Sequence, residues 1–423
     1  MRNSIGQFGL LGEKLGHSFS PQVHALLGDD KYKLYERNPD EVEDFLKTGE
    51  FTGISVTIPY KKTVMPFCAQ LSDAAQKIGS VNTLIRRSDG TLYGDNTDYF
   101  GFEYLINKLC VDVSGKKAII LGNGGAAATV KAVLGGRGAG DVVVISRSGA
   151  DNYGNLDRHY DAQIIVNTTP VGMYPNNEDA PIDLSGFKSC RAVIDVIYNP
   201  LKTKILIQAE SMGIPCIGGL YMLVAQAKRA REIFAGEVAH ADTKEKSSWS
   251  ADPVIERVTC EIMRNMQNIV LIGMPGCGKT TVGQELARLT GREFYDIDEI
   301  IVEIAGKSIK SIFEESGEDA FREIETDALK EVSKKSGCVI ATGGGIVLRE
   351  ENRKILEQNG VLIYLSRAIN ELSSAGRPVS LSKGVEVIYN ERRHLYESWC
   401  GHEIKSLPGV EQTAVAIREV LKL

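Results

Sequence analysis

No stretch of this sequence is apolar for long enough to span a bilayer, and the opening residues, MRNSIGQFGLLGEKLGHSFS, lack the apolar core of a signal peptide. A membrane partner and export are therefore not expected, and the cytoplasm is the expected compartment. The eight cysteines are scattered, with no CxxC pair and no Cys/His spacing of a metal site. They read as reduced thiols, mostly core fillers. Basic charge is not in excess either. With a formal net charge of −6, nucleic acid is not an expected partner, and any attraction for phosphate must be built locally.

What is present is ordinary globular composition, 43% hydrophobic and 25% charged. The 423 residues exceed what one hydrophobic core usually supports, so more than one domain is expected. Two glycine-rich turns, each behind an apolar run and ahead of a helical pattern, dominate the chain. One lies in KKAIILGNGGAAATVKAVL (116–134) and the other in NIVLIGMPGCGKTTVGQELARL (268–289). Strand, glycine turn and helix in that order argue for open parallel sheets with covering helices, and two such openings argue for two sheets. Ahead of them, QFGLLG, GISVTIP and SVNTLIR read as a separate α/β domain.

The fold class predicted is α/β: an N-terminal α/β substrate domain, a Rossmann-like nucleotide domain, then a phosphate-loop domain with a parallel sheet. The boundaries expected are 1–106 for the first, completed by a helix over 219–236, and 107–218 for the second. Residues 237–265 read as a linker and connecting helix, and 266–423 as the third domain. Within the linker, Asp252 and Pro253 suit an N-cap and first helical position. Val254, Val258, Ile262 and Met266 share a face at helical spacing.

The first turn, Gly122, Gly124 and Gly125 followed by Ala126, resembles a dinucleotide-binding turn, although a tight strand-to-helix turn accounts for it equally well. The next strand ends in Ser146-Arg147-Ser148, where an acid would suit NAD and an Arg suits the 2′-phosphate of NADP. The second turn, 273–280, fits GxxxxGK[ST] in full. Its amides, with Gly276, Cys277, Gly278 and Thr281, would surround phosphate, Lys279 would reach the β- and γ-phosphates of ATP, and Thr280 would ligate Mg²⁺. Cys277 reads either as an activated thiol or, more simply, as a small inert loop residue.

Around the first turn, GHSFSP (16–21), SVTIPYKKTV (55–64), IGSVNTL (78–84), GDNTD (94–98), NTTPVGM (167–173), DVIYNPLKT (195–203) and GGLYMLVAQA (218–227) follow in order. Together they resemble the shikimate dehydrogenase family over residues 1–236. The resemblance implies NADP-dependent reduction of 3-dehydroshikimate to shikimate, with Lys61 as proton donor and Asp98 as its electrostatic support. Ser18 and Ser20 would take the substrate carboxylate, Thr57, Asn82, Tyr198 and Gln226 the carboxylate and ring oxygens, and Gly219 and Met222 would lie near the nicotinamide. Outside the family, Lys61 would read as a surface lysine and Asp98 as a turn cap. Ser55 and the Ser-Arg-Ser run depart from the family's usual residues.

Behind the second turn, FYDIDEII (294–301), SIFEESGEDAFREIE (311–325), ATGGGIV (341–347), RPVSL (377–381) and RRHLY (392–396) resemble shikimate kinase over residues 266–423. The resemblance implies phosphorylation of shikimate to shikimate 3-phosphate. Asp298 would hold the attacking hydroxyl, Asp296 would support Mg²⁺, Arg322 and Arg392 would clamp the carboxylate, Gly344 would bring bare backbone to the ring, and Arg377 would close over ATP. Read singly, Arg322 with Glu325 makes a surface pair, GGG a loose turn, and Arg392-Arg393 a basic face. The segment around Arg377 looks shorter than usual. Small molecules are the expected partners, with a homodimer as the one assembly entertained. The rival readings are a quinate/shikimate dehydrogenase fused to the kinase, and a catalytically retired metabolite sensor.

Overall fold

The runs singled out as strands form three separate sheets in the computed structural model, which describes residues 7–16, 18–29, 31–236, 250–372 and 384–423. The first contains β1 (Phe8–Gly12), β2 (Lys33–Glu36), β3 (Gly53–Val56), β4 (Cys68–Leu71), β5 (Thr83–Arg86) and β6 (Leu92–Asp95), in the order β2-β1-β3-β5-β6-β4. It is mixed, because β5 runs antiparallel to both its neighbours while the other pairs are parallel. Leu11, Ile54, Val56 and Leu84 from its strands bury against Phe45 and Leu46 of the helix Val42–Thr48.

The second sheet contains β7 (Lys117–Leu121), β8 (Asp141–Ile145), β9 (Ile164–Asn167), β10 (Ala192–Asp195) and β11 (Cys216–Ile217), in the order β11-β10-β9-β7-β8. All its pairs are parallel. Every residue of β9 and β10 is buried, as expected of central strands covered on both faces. The third sheet, β12 (Asn268–Ile272), β13 (Phe294–Asp296), β14 (Val339–Ala341), β15 (Gly360–Ser366) and β16 (His402–Lys405), is also wholly parallel, in the order β13-β14-β12-β15-β16. In the second and third sheets the first strand in sequence sits inside the sheet, with later strands laid on both sides of it. The turn leaving β7 and the turn leaving β12 therefore open at the point where strand order reverses, which is where doubly wound sheets leave a crevice for ligands.

The chain forms two compact units, Met1–Met173 with Glu178–Tyr198 and Gln208–Ile262, and Met263–Leu423 with Tyr174–Asn177 and Asn199–Ile207. In the first unit the helices Asp98–Lys108 and Leu220–Ala235 lie in direct backbone contact. A Cβ on Gly101 would stand 2.7 Å from the carbonyl oxygen of Met222. Only a glycine lets the two backbones approach this closely.

Residues 237–249 of the expected linker lie outside the described residues. The helix that follows, Pro253–Met266, is capped as the sequence predicts, with the Asp252 carboxylate accepting from the amides of Val254 at 2.8 Å and Ile255 at 3.2 Å. Its buried face is Ile255, Val258, Ile262 and Met266 rather than one beginning at Val254, which is 38% exposed. The first turn is rotated because Glu256 faces the first unit, accepting from Tyr104 (2.9 Å), Lys108 (2.7 Å) and Tyr221 (3.3 Å). The described residues 250–262 thus group with the first unit, and an edge at 106/107 falls inside the helix Asp98–Lys108.

One buried titratable group makes the first unit sensitive to acid. His24 is 1% exposed and stacks on Tyr32 with ring centroids 3.7 Å apart. Burial, aided by the charge of Arg231, lowers its pKa from 6.5 to about 3. The unfolded chain takes up this proton near pH 6.5 and the folded chain does not, so the stabilisation is complete above 6.5 and is lost as pH falls toward 3. This group alone is expected to remove about 2 kcal/mol of stability between pH 7 and pH 5. Denaturant unfolding should show most of that slope gone in His24→Phe, which keeps an aromatic ring on Tyr32.

Candidate active sites

Lys61 and Asp98 meet in the first unit, Nζ to Oδ2 at 2.5 Å, with side chains 28% and 17% exposed. Asp98 opens the helix Asp98–Lys108, and a chain of buried amides and hydroxyls fixes that end. Asn96 donates to the Ser80 carbonyl at 2.9 Å and accepts from the Asp98 amide at 3.2 Å. The Asn82 side-chain oxygen takes the Thr97 amide at 2.7 Å, and the Thr97 hydroxyl lies 3.4 Å from Gln226 Oε1. The arrangement holds an ammonium, a carboxylate and several neutral polar groups at one half-buried spot. It suits proton delivery to an oxygen on a small polar molecule.

Further residues expected in this site come from both sheets. The Thr57 amide donates to Leu11, which ties the loop after β3 to β1. The Ser18 hydroxyl accepts from the Ser20 amide at 3.2 Å, and Phe19 between them meets Tyr198 edge-on at 5.5 Å. Burial raises the Tyr198 pKa, so its hydroxyl remains a donor. Gly219 is required by contact, since a Cβ there would lie 2.0 Å from the Val196 carbonyl oxygen.

In the turn after β7, Gly122 adopts φ +98°, a left-handed conformation that favours glycine, and a Cβ would also stand 2.9 Å from Thr169. Gly124 caps the helix Gly125–Gly136, and neither it nor Gly125 has a neighbour where a Cβ would sit. The backbone at Gly124 and Gly125 is thus open on the side where a Cβ would sit, which would let a pyrophosphate approach the start of the helix. Under the turn, Asn167 donates to both oxygens of the wholly buried Asp195, at 3.1 Å each, and accepts from Thr169. At the end of β8, Ser146 is buried and Arg147 is exposed.

The second unit carries a cleft of about 260 Å³ between the turn after β12 and the helices that face it. Gly273, Gly276 and Gly278 all have positive φ, so the backbone curls back on itself ahead of the helix Lys279–Thr290. Lys279 is 8% exposed and donates to the carbonyls of Gly273 at 2.9 Å and Met274 at 3.0 Å. The Thr280 hydroxyl donates to Asp296 at 2.6 Å, a pairing whose oxygens fit Mg²⁺. The other Asp296 oxygen accepts the Asp298 amide at 2.9 Å, placing Asp298 at the cleft. Thr281 also lines the cleft, whereas the Cys277 side chain is buried among Ile269, Leu271 and Ile363, as an inert loop residue should be.

At the far side of the cleft, Arg322 and Arg392 are 6% and 3% exposed. Arg322 pairs with the fully buried Glu325 at 2.6 Å and with Glu318 at 3.0 Å, so it is no surface pair. Burial raises the Glu325 pKa, Arg322 opposes the rise, and Asp298 adds to it. Arg392 donates to the Gly344 carbonyl at 3.0 Å, and the Tyr396 hydroxyl donates to the same oxygen. The GGG segment is not loose either. A Cβ would stand 2.7 Å from Glu325 at Gly343, 2.6 Å from Pro275 at Gly344 and 2.2 Å from the Arg322 guanidinium at Gly345. Arg322 Nε, Arg392 Nε and Glu325 Oε1 have no hydrogen-bond partner among the described residues.

The structure brings Lys61 to Asp98 and Thr280 to Asp296, and it lines one cleft with Lys279, Asp298, Arg322, Gly344 and Arg392; Arg377 lies outside the described residues. Sequence reasoning missed Asn96, Thr97, Asn167, Asp195 and Glu325 as supporting groups. All five sat inside the segments that drew attention, but none carries a charge or spacing that distinguishes support from solvent. Among the described residues no group of three or more metal-ligating side chains is found, and no helix is long and apolar enough to cross a membrane.

Residues 10–84 match the family model of the shikimate dehydrogenase substrate binding domain, and residues 275–422 match that of shikimate kinase. The chain is 36% identical over 259 residues to a shikimate dehydrogenase (NADP(+)) of Clostridium perfringens, covering 56% of this chain and 95% of that one. It is 35% identical over 272 residues to one of Methanosphaera stadtmanae, with 56% and 94% covered. Among solved structures, a chorismate mutase/shikimate 5-dehydrogenase fusion protein from Clostridium acetobutylicum is similar, with TM-score 0.55, 33% identity, and 61% of this chain and 96% of that one covered. A shikimate 5-dehydrogenase from Thermus thermophilus in complex with NADP(H) and shikimate gives TM-score 0.52 at 27% identity, with 61% and 99% covered.

The glycine contacts yield a test confined to the second unit. Gly345→Ala places a methyl group inside the Arg322 guanidinium and must displace it. Loss of one charge-assisted, two-point contact should weaken apparent binding of a carboxylate substrate by about 10–100-fold. Steady-state phosphorylation should show that rise in KM, while activity of the first unit stays unchanged.

Proposed function

The chain belongs to the shikimate dehydrogenase family and carries a shikimate kinase domain behind it, and from that premise we propose how its residues perform the two steps of a fused shikimate-pathway enzyme. The steps are NADP-dependent reduction of 3-dehydroshikimate to shikimate and ATP-dependent phosphorylation of shikimate to shikimate 3-phosphate. One observation supports the assignment of residues most. Behind a complete phosphate loop, the cleft ends in two buried arginines with unused donors, as a buried carboxylate requires.

In the first unit, Lys61 delivers the proton to the ketone oxygen as negative charge develops there. Asp98 holds the Lys61 side chain in place beside the reacting oxygen. Ser18, Ser20, Thr57, Asn82, Tyr198 and Gln226 supply the hydroxyl and amide groups that a carboxylate with three ring hydroxyls calls for. Gly219 and Met222 border the nicotinamide, and Arg147 with Ser146 meets the 2′-phosphate at the end of β8. NADPH supplies the hydride, ATP the phosphoryl group, and Mg²⁺ screens the phosphates.

In the second unit, Arg322 and Arg392 hold the carboxylate of shikimate while Asp298 orients the attacking hydroxyl. Lys279 leaves its two loop carbonyls for the phosphates, and Thr280 with Asp296 holds the magnesium shell. Arg377 closes the site in this reading. Reduced activity of either half, or quinate in place of shikimate in the first, is the competing account. Assembly as a homodimer and residence in the cytoplasm complete the proposal, to be checked by light scattering and by fractionation.

Two assays on one preparation test the assignment. Shikimate with NADP⁺ should give reduced nicotinamide, and shikimate with Mg·ATP should give ADP. Lys61→Ala should lower only the redox rate, by about 10²–10⁴-fold, and Lys279→Ala only ADP formation, by at least about 10²-fold. A variant that silences both assays, or quinate turning over faster than shikimate, would refute it.

A further inference from the structure

We infer that His159 and Asp151 form a positioning pair that sets the preference for NADP over NAD. His159 engages the single carboxylate carried on the turn that presents Arg147 and so keeps it from Arg147, leaving the guanidinium charge to the 2′-phosphate. The inference rests on the reading of Ser146 and Arg147 as the 2′-phosphate site.

The turn leaving β8 runs SRSGADN, residues 146–152, and Asp151 is its only acid. NADP differs from NAD at this point by a phosphate dianion, so a bare carboxylate in the same turn would repel the ligand that Arg147 attracts. His159 answers that carboxylate. It stands at the end of the short helix Tyr153–His159, and its Nε2 lies 2.9 Å from Asp151 Oδ1. The residue is 8% exposed, whereas the Asp151 side chain is 39% exposed. The acid is thus reached from beneath by a buried imidazole.

The other imidazole nitrogen is buried without a hydrogen-bond partner among the described residues. An apolar side chain would fill the same space without leaving a polar atom unpaired, which is ordinarily unfavourable. The bond to Asp151 is therefore what the imidazole supplies there.

Nor is His159 needed to shape the turn. The Ser146 amide donates to the Asp151 carbonyl at 3.2 Å, the Asn152 side chain donates to Gly149 at 3.1 Å, and the Asn155 side chain donates to Ala150 at 2.9 Å. These three bonds close the backbone without the side chain of either member of the pair. Arg147 is exposed and close enough to Tyr153 for its charge to act on the phenol, which places the charge beside the same short helix.

The test uses the full chain and compares kcat/KM for NADP⁺ and for NAD⁺ at saturating shikimate. His159→Phe fills the space but leaves Asp151 unanswered, and should lower the NADP⁺ value about tenfold with NAD⁺ unchanged, the equivalent of one lost ionic contact. Asp151→Asn alone should leave NADP⁺ turnover equal or better. In the His159→Phe background, Asp151→Asn should restore it. A scaffold role predicts the opposite pattern, with both dinucleotides falling together or the second substitution failing to rescue, and either result overturns the inference. Arg147→Ala separates the two levels. No change in the NADP⁺/NAD⁺ ratio there removes the 2′-phosphate reading and the pair with it, while a changed ratio at Arg147 with none at His159 removes the pair alone.

Discussion

A phosphate can be held by backbone amides only where the chain turns sharply at the end of a strand and no side chain stands in the way. Both units are shaped by that constraint. In the first, Gly122 makes the turn in a left-handed conformation and Gly124 and Gly125 leave the helix start bare. In the second, three positive-φ glycines curl the loop after β12. A parallel sheet with its first strand inside it puts each turn at the reversal of strand order, so both crevices follow from topology before any catalytic side chain is considered.

What the glycine turns leave undecided, fixed polar groups decide. A lysine beside an aspartate on an open surface contributes little, because water and salt screen the pair. Here Asp98 begins a helix whose approach is held by Asn82, Asn96 and Thr97, all within 3% of full burial. The same logic runs more strongly in the kinase cleft. Arg322 and Glu325 are both buried, and removing one partner there would leave the other charge uncompensated. Glycines at 343, 344 and 345 are what allow the backbone to lie against these groups. Preorganised charge next to bare backbone is the shared device.

Much of this was legible in the amino-acid sequence, and the limits have physical causes. The strands, the two turns, Lys279 and Thr280 stood out because turn chemistry and apolar period are local, whereas Lys61 and Asp98 stood out only through the family resemblance. Arg322 and Glu325 did not announce their burial, since an i, i+3 ion pair reads the same on a surface and in a core. Asp195 and Asn167 were quoted only as letters of a motif. Their mutual bonds span two strands that are distant in sequence. The connecting helix was placed correctly at its cap but its buried face was set one residue early, at Val254 instead of Ile255. A period of 3.6 tolerates that slip, and the bonds from Tyr104, Lys108 and Tyr221 to Glu256 resolve it.

That helix also changes how the fusion should be understood. Its residues through Ile262 group with the first unit, and it ends at Met266, with only Gln267 between it and β12. Residues 250–262 of the expected linker therefore group with the first unit. Joining two sites in one chain raises the concentration of each near the other. It does not by itself route a product between them, because hand-over requires a shielded path or a faster capture than escape, and neither follows from covalent linkage alone. The gain that does follow is stoichiometric: one polypeptide supplies one reducing site and one phosphorylating site for the same acid, so the ratio of the two activities is set by the kinetics of the sites rather than by separate expression.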